Sequence, residues 1–460
     1  MVIKEAKSSM YNRRIDNSTN KMKTAWNIIK TETNRVKETT NIVHNNHQNS
    51  PEAFNRYFLS VPQNIIDGIR SNANQSVSIA KNPNYYLSNL FHAPLPSIKF
   101  QNTSTTEIEK IINSLRMKNS CGYDEISTKV LKISAPFISS PLCYICNKSM
   151  LSGIFPSRLK YATVKPLLKK GNKENVANYR PISLLTSFSK VFEKLIYDRL
   201  LNHIQTNNIL CAEQFGFRVS LSTEKASYKQ IDDILNALNN KLMVGGIFCD
   251  LQKAFNCIDH NILLTKLEFY GITGVTYRLI KSYLQGRYQR VVLNNYSPHS
   301  CSHWGEVTRG VPQGSILGPL LFLLYINDLP QITNVNSKFV LFADDTSVII
   351  TSSDPLNFRA NLNKITHDIN EWFETNLLSL NLDKTHYIQF VTKNNSPNDF
   401  DIMHGSKKIT MVNSTKFLGL TLDNTHSIDT IAPKLSLADF ALRIVKPLLS
   451  LESLRMVYFS

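Results

Sequence analysis

The chain has 460 residues, enough for two or three domains and one large core, and its 42% hydrophobic and 19% charged residues are ordinary for a folded protein. That balance excludes a disordered polypeptide, and seven cysteines, few for this length and odd in number, exclude a disulfide scaffold and suit a reducing compartment. Lys and Arg number 52 against 35 Asp and Glu, and the net charge of +17 favours a polyanionic partner, nucleic acid before anionic membrane, over a merely basic surface.

Residues 1–60 are polar and basic, open with no secretory signal, and place Trp26, Ile28, Ile29 and Val36 at helical spacing. Residues 60–100 are rich in Asn, Ser and Pro and read as a linker or extended arm. A structured core is expected from near Thr105, where Ile108, Ile111, Ile112 and Leu115 fall at helical spacing. Cys143-Tyr144-Ile145-Cys146 is a lone CxxC among apolar neighbours and reads as buried helix before zinc or redox site. From Phe155 to Leu200 there are ten basic residues (Arg158, Lys160, Lys165, Lys169, Lys170, Lys173, Arg180, Lys190, Lys194, Arg199) and three acids, with Tyr161, Tyr179 and Phe188 interleaved. Positive charge with nearby aromatics suits phosphates and stacked bases, and a solvated basic face is the plain alternative.

Gly245-Gly246-Ile247-Phe248-Cys249 predicts a short apolar strand with Asp250 at its end. In Gly310-Val311-Pro312-Gln313-Gly314-Ser315, the glycines allow close backbone approach to a ligand, and Leu317-Gly318-Pro319 opens a strongly apolar helix. The longest apolar stretch, Ile316 to Ile326, contains Gly318 and Pro319 and is too short to span a bilayer. Phe339-Val340-Leu341-Phe342 and Val348-Ile349-Ile350 flank Ala343-Asp344-Asp345, which predicts strand, tight turn, strand, with two acids at the tip. Residues 432–460 read as helical, apolar on one face through Leu435, Leu437, Phe440, Leu442, Val445, Leu448 and Leu449, and stop without a cap, so the chain reads as cut. The irregular alternation of helices and strands predicts an α+β fold, and no internal repeat is visible.

Two like charges side by side repel, so a fold keeps Asp344 and Asp345 together where a cation neutralises them or water solvates them. On those two residues alone, a metal site and an acidic surface turn are even alternatives. Asp250 alone would be a strand-end capping acid, but three converging carboxylates can hold two divalent ions. Magnesium suits such oxygen ligands, and two ions suit in-line phosphoryl transfer.

The order of these blocks resembles that of reverse transcriptases. Gly153-Ile154-Phe155-Pro156, Lys169-Lys170-Gly171, Asn178-Tyr179-Arg180-Pro181-Ile182-Ser183-Leu184-Leu185 and Gln214-Phe215-Gly216-Phe217-Arg218 with Ser222-Thr223 are similar to a non-LTR (LINE-type, jockey-like) retrotransposon polymerase. Gly310–Pro319, Phe342–Asp345, Leu380-Asn381 with Lys384-Thr385, and Lys416-Phe417-Leu418-Gly419 continue the resemblance, which covers roughly residues 105–450.

The resemblance implies a right-hand polymerase with fingers and palm and a truncated thumb. It divides the chain into a basic N-terminal extension and linker over 1–104, a reverse transcriptase domain over 105–425 and the start of the thumb over 426–460. Asp250, Asp344 and Asp345 match the catalytic metal-binding triad, with the Leu251 carbonyl near an ion. Lys169 and Arg180 match contacts to the incoming triphosphate, a point charge and a bidentate fork. Phe255, five residues after Asp250, matches a gate that excludes the ribose 2′-hydroxyl. Gln313 and Gly314 match the block supporting template and nucleotide, Lys384 a general acid for pyrophosphate departure, and Phe417-Leu418-Gly419 the primer grip. The implied cofactors are two magnesium ions, with manganese as substitute. The implied partners are an RNA template, a DNA primer and dNTPs, with no membrane and no protein partner.

The chain departs from the family pattern at Asn256, where Asp is usual, and at the short Asn424-Thr425-His426-Ser427 segment. No endonuclease or Cys/His knuckle is expected, and the chain is expected to end within the thumb. The expected function is RNA-directed DNA polymerase, acting inside the cell and in the nucleus. The rivals are an inactive transposon relic that binds RNA and an RNA-dependent RNA polymerase. Phe255 and the Phe-Ala-Asp-Asp wording oppose the latter.

Overall fold

A computed structural model describes residues 2–18, 20–33, 50–73, 83–90, 95–169, 171–293, 301–332, 337–392, 402–404, 407–424, 439–440 and 442–458. The chain divides into two compact units, Met1–Asn45 with His426–Ser460, and Asn46–Thr425. In the smaller unit, α1 (Val2–Asp16) and α2 (Lys21–Glu32) bury Tyr11, Ile15, Ala25, Ile28 and Ile29 against Val445, Leu448, Leu449 and Val457. Asn20 caps α2 by accepting from the Lys23 N–H at 2.9 Å. Residues 442–445 are helical and Leu451–Tyr458 forms a further helix, whereas Phe440 is exposed and not part of the apolar face. Val36, Leu435 and Leu437 lie outside the described residues.

The larger unit opens with α3 (Pro51–Ala73), so residues 60–73 are helix and not the expected linker. Ser50 caps it by accepting from the Ala53 N–H at 3.1 Å, and Pro51 occupies a first-turn position that needs no N–H. Phe54, Phe58, Pro62, Ile66 and Ile69 are buried along one face, while Gln63, Asn64 and Asp67 carry the polar composition to the other. There follow α4 (Asn84–Leu90), α5 (Thr105–Ser114), capped by Ser104, and α6 (Thr128–Ser152). Cys143 and Cys146 are free thiols on α6, Cys146 fully buried.

The chain continues through β1 (Tyr161–Leu168), β2 (Tyr179–Leu185), α7 (Ser187–Thr206), α8 (Thr223–Asn239), β3 (Met243–Cys249) and α9 (Ala254–Cys257). Next come α10 (His260–Phe269), α11 (Gly274–Leu284), β4 (Arg287–Val291), β5 (Gly305–Val307), α12 (Leu317–Ile326), β6 (Ser337–Phe342), β7 (Asp345–Ser352) and α13 (Pro355–Thr375). The unit closes with β8 (His386–Phe390), β9 (Met403–His404), β10 (Lys407–Lys408), β11 (Thr410–Met411), β12 (Ser414–Phe417) and β13 (Leu420–Asp423). No helix among the described residues is long and apolar enough to cross a membrane.

The order β11-β8-β3-β7-β6 makes a five-stranded sheet, and β2-β1-β4-β5 makes a four-stranded one. Side chains alternate across the larger sheet. Val244, Phe248 and Ile349 pack with Ala226 and Ile234 of α8, while Ile247, Val348 and Ile350 join the main core with α12 and α13. Helix α12 is apolar all round and buried, as its sequence requires. On the four-stranded sheet, Val164, Tyr179 and Val291 are covered by Phe54 and Phe58 of α3. The fold is therefore mixed α+β, as expected from the irregular element order.

Candidate active site

The hairpin predicted around Asp344 is present. Phe342 pairs with Asp345, leaving Ala343 and Asp344 as a two-residue turn between β6 and β7. Ala343 has φ +55°, a positive value at the first turn position that glycine normally takes in a type II′ hairpin. A brace holds that turn. Gln214 Oε1 accepts from the Ala343 N–H at 3.1 Å and from the Gly216 N–H at 2.8 Å. The Phe215 N–H donates to the Leu341 carbonyl at 2.8 Å, and the Leu341 N–H donates to the Glu213 carbonyl at 2.9 Å. A Cβ on Gly216 would stand 2.4 Å from the Ala343 nitrogen, so the approach admits only glycine.

Strand β3 lies beside β7 with Cys249 opposite Thr346, and the next step in that register sets Asp250 beside Asp345. Asp250 reaches the hairpin as a neighbour in the sheet. Its carbonyl accepts from the Asn381 N–H at 2.8 Å, its N–H donates to Thr385 Oγ1 at 3.4 Å, and Lys384 Nζ is 3.0 Å from its Oδ2. Leu251 bridges Leu380 in antiparallel fashion. The Leu380-Asn381 and Lys384-Thr385 motif thus wraps the first acid.

Burial raises the Asp344 carboxyl above its usual range, and Asp250 adds to the rise. Asp345, which keeps an open side, is pushed up to about 6 by loss of surrounding water and then by the Asp344 and Asp250 charges. The three carboxylates are not drawn tight. Among the described residues, only His367, Asp368 and Glu371 bring three possible ligand atoms within 4.8 Å of one another, on α13. Mutual repulsion and the Lys384 pair both act to spread the triad.

Asp250 and Asp344 line a cleft of about 1100 Å³ together with Lys169, Arg180, Lys253 and Lys384. Burial lowers the Lys169 and Lys253 ammonium groups and the neighbouring cations lower them further, while the Asp250 and Asp344 charges act the other way on Lys169. Phe255 lines the cleft and stacks on Phe322 at 4.5 Å and 22°, with Phe217 edge-on at 6.4 Å. Leu251, Asn256, Gln313 and Gly314 line it too.

The glycines of the 310–315 turn lie close against other parts of the chain. A Cβ on Gly310 would lie 2.6 Å from the Asn256 carbonyl, and one on Gly314 2.7 Å from the Ser183 carbonyl. The close approach the structure shows is to the protein's own backbone. The Ser183 N–H also donates to the Gln313 carbonyl at 2.8 Å, which docks the turn on β2. On the other side, fully buried Glu193 accepts from the Ile316 N–H at 2.6 Å. The β12–β13 hairpin turns at Leu418 and Gly419, both at positive φ, and Phe417 packs edge-on against Phe248 at 5.6 Å. Asn424 is described, but Thr425, His426 and Ser427 lie outside the described residues, as does Lys170.

Three contributors carry no role in the sequence reading. Lys253 sits at φ +47° and donates to the Ala177 and Tyr179 carbonyls at 3.2 and 3.1 Å. Glu193 fixes the start of α12. Tyr57, Val61, Asn64, Ile65, Gly68 and Ile69 of α3 line the cleft. Only the last had a signal, the helical spacing of Phe54, Phe58, Ile66 and Ile69, which runs into the supposed arm.

Residues 168–422 match the family model described as reverse transcriptase (RNA-dependent DNA polymerase). The chain is 29% identical over 353 residues to the RNA-directed DNA polymerase from mobile element jockey of Drosophila melanogaster, covering 75% of this chain and 37% of that protein. It is 31% identical over 322 residues to the probable RNA-directed DNA polymerase from transposon X-element of the same organism, covering 69% of this chain and 35% of that protein. The probable RNA-directed DNA polymerase from transposon BS, also of Drosophila melanogaster, is 31% identical over 331 residues, with coverage of 69% and 35%. The chain thus spans little more than a third of the length of these relatives. With its acidic hairpin, its facing cations and this match over most of the described core, the chain belongs to the reverse transcriptase (RNA-dependent DNA polymerase) family, of the non-LTR retrotransposon kind.

Proposed function

We propose that this chain is an RNA-directed DNA polymerase that adds deoxynucleotides to a primer 3′-hydroxyl along an RNA template. The observation that carries this is one cleft that Asp250 and Asp344 share with Lys169, Arg180, Lys253 and Lys384. Carboxylates and cations lining one cleft suit a triphosphate whose α-phosphate is attacked beside the acids. The five-stranded sheet takes the place of a palm and the four-stranded sheet that of fingers.

Reverse transcriptases use divalent metal ions, and the residues here fit them. Asp250, Asp344, Asp345 and the Leu251 carbonyl offer hard oxygen donors suited to two magnesium ions, or manganese in their place. The raised Asp344 and Asp345 carboxyls are the electrostatic sign of a site that gains from a cation. When bound, such ions supply activation of the attacking hydroxyl and stabilisation of the leaving oxygen.

The protein groups divide the remaining work. Lys169 and Arg180 hold the triphosphate, Gln313 and Gly314 support template and nucleotide, and Phe255 closes against the sugar. Lys253 ties the strand end bearing Asp250 to the backbone of Ala177 and Tyr179. Lys384 Nζ, paired with Asp250 in the structure, gives its proton to the departing pyrophosphate. Action inside the nucleus is proposed on the resemblance alone.

The test is extension of a DNA primer on an RNA template, with and without magnesium. The wild-type chain is expected to extend only with the metal, and Asp344→Asn is expected to abolish extension while its circular dichroism and melting stay those of the wild type. Extension at wild-type rate by Asp344→Asn would remove the metal assignment. A wild-type chain that binds the RNA without extending the primer would be the inactive relic.

A further inference from the structure

Among the described residues, one face of the four-stranded sheet packs against α3, and the other is only partly covered, Thr163 being buried on it while Leu167 and Arg180 are exposed. Val164, Tyr179 and Val291 point to α3, so the alternate residues of each strand point the other way. At one end of that second face stand four aromatic rings in mutual contact. Tyr161 stacks on Tyr288 at 5.4 Å and 18°, and these two residues are direct partners in the β1–β4 register. Trp304 meets Tyr161 edge-on at 5.0 Å and Tyr123 at 6.0 Å. The Arg290 guanidinium lies 4.7 Å from the Trp304 ring centre. Trp304 is nonetheless 37% exposed, and the three tyrosines are half-buried. The group is packed well enough to be rigid and open enough to receive another ring.

The same face leads to the cleft. Tyr161, Thr163, Lys165 and Leu167 follow one another along it on β1, and Leu167, 58% exposed, pairs with Arg180 of β2. From Tyr161 to Leu167 is about 20 Å at the usual rise of a strand. Among the strand residues of this face, Lys165, Arg180 and Arg290 are opposed by one acid, Glu306. We propose that this aromatic group stacks unpaired bases of the RNA template ahead of the templating position, with the basic residues of the face following its phosphates to Arg180. The proposal rests on the polymerase reading and adds to it a second site for the same strand. Flat rings joined by cations suit single strands without demanding a sequence, because every base offers a π face. A protein partner would also accept exposed rings, but the excess of cations along the path favours a polyanion.

The experiment compares binding of two primed RNA templates, one with a long unpaired 5′ overhang and one with a single unpaired template base. The long template carries a fluorescent adenine analogue in the overhang. The wild-type chain is expected to bind the long overhang about tenfold more tightly and to quench the analogue, in line with roughly 1–3 kcal/mol per stacked base. Trp304→Ala with Tyr288→Ala is expected to lose both the extra affinity and the quenching while binding the short overhang as the wild type does. Trp304→Phe, which keeps a ring in place, is expected to restore most of the quenching. Equal affinity of the wild type for both templates, or quenching unchanged in the double variant, would overturn the proposal. Extension of the primer by the single templating base needs no stacking site, so failure there would strike the polymerase reading instead.

Discussion

Phe255 shows how much one side chain depends on its support. Its ring is stacked on Phe322 and met edge-on by Phe217, so it is a fixed wall of the cleft and not a mobile side chain. A ribose 2′-hydroxyl pressed against such a wall has nowhere to go. Phe255→Ala is therefore expected to raise ribonucleotide incorporation at least about tenfold relative to deoxynucleotide, the order that one pocket contact commands. Competitive incorporation on one template measures it, and unchanged discrimination would remove the gate role. The strand end at Asp250 and the turn at Asp344 are legible in local pattern, whereas Phe255 enters only through the family resemblance. Lys253 and Glu193 are not legible, nor is the brace that Gln214 makes from within its motif. Their partners lie far away in sequence and most are backbone groups, such as the Tyr179 carbonyl, the Ile316 N–H and the Ala343 N–H, which leave no trace in composition or periodicity.

Elements, unlike single residues, reveal themselves through period and mislead through composition. The β6–β7 hairpin and the apolar α12 follow directly from alternation and all-round hydrophobicity. Helix α3 was hidden because its Asn, Ser and Pro content suggested an arm, while its buried face kept helical spacing. At Gly310 and Gly314 the structure adds close backbone neighbours, Asn256 and Ser183, that the sequence does not name, since a glycine says that something comes close and not what. Gly216 has the same character, and its neighbour is the turn that carries Asp344. Because that neighbour is backbone, a methyl group at Gly216 must move the hairpin or the 213–216 segment. Gly216→Ala is expected to lower the single-turnover extension rate by about a hundredfold, as misplacement of a catalytic group by about 1 Å does. Its melting temperature should fall by far less than unfolding would require. A normal rate in that variant would show that the brace does not set the position of Asp344.

For the whole molecule, the question is which part of the chain the chemistry needs. The cleft residues run from Tyr57 to Lys384 and all lie in the Asn46–Thr425 unit. The smaller unit has a different logic, because its core is shared between the two ends of the chain. Tyr11, Ile15, Ala25, Ile28 and Ile29 come from one end, and Val445, Leu448, Leu449 and Val457 from the other. Neither set has enough apolar surface of its own to stay folded, since short isolated helices are marginal in water. Deleting Met1–Asn45 should therefore uncover the partner residues without touching the cleft. Limited proteolysis is expected to cut residues 442–458 rapidly in that deletion and slowly in the intact chain. The larger unit should keep its melting transition. If the C-terminal segment stays protected without its partner helices, the shared core is not what holds it. If the larger unit's transition is lost as well, the division into two units is not one of stability.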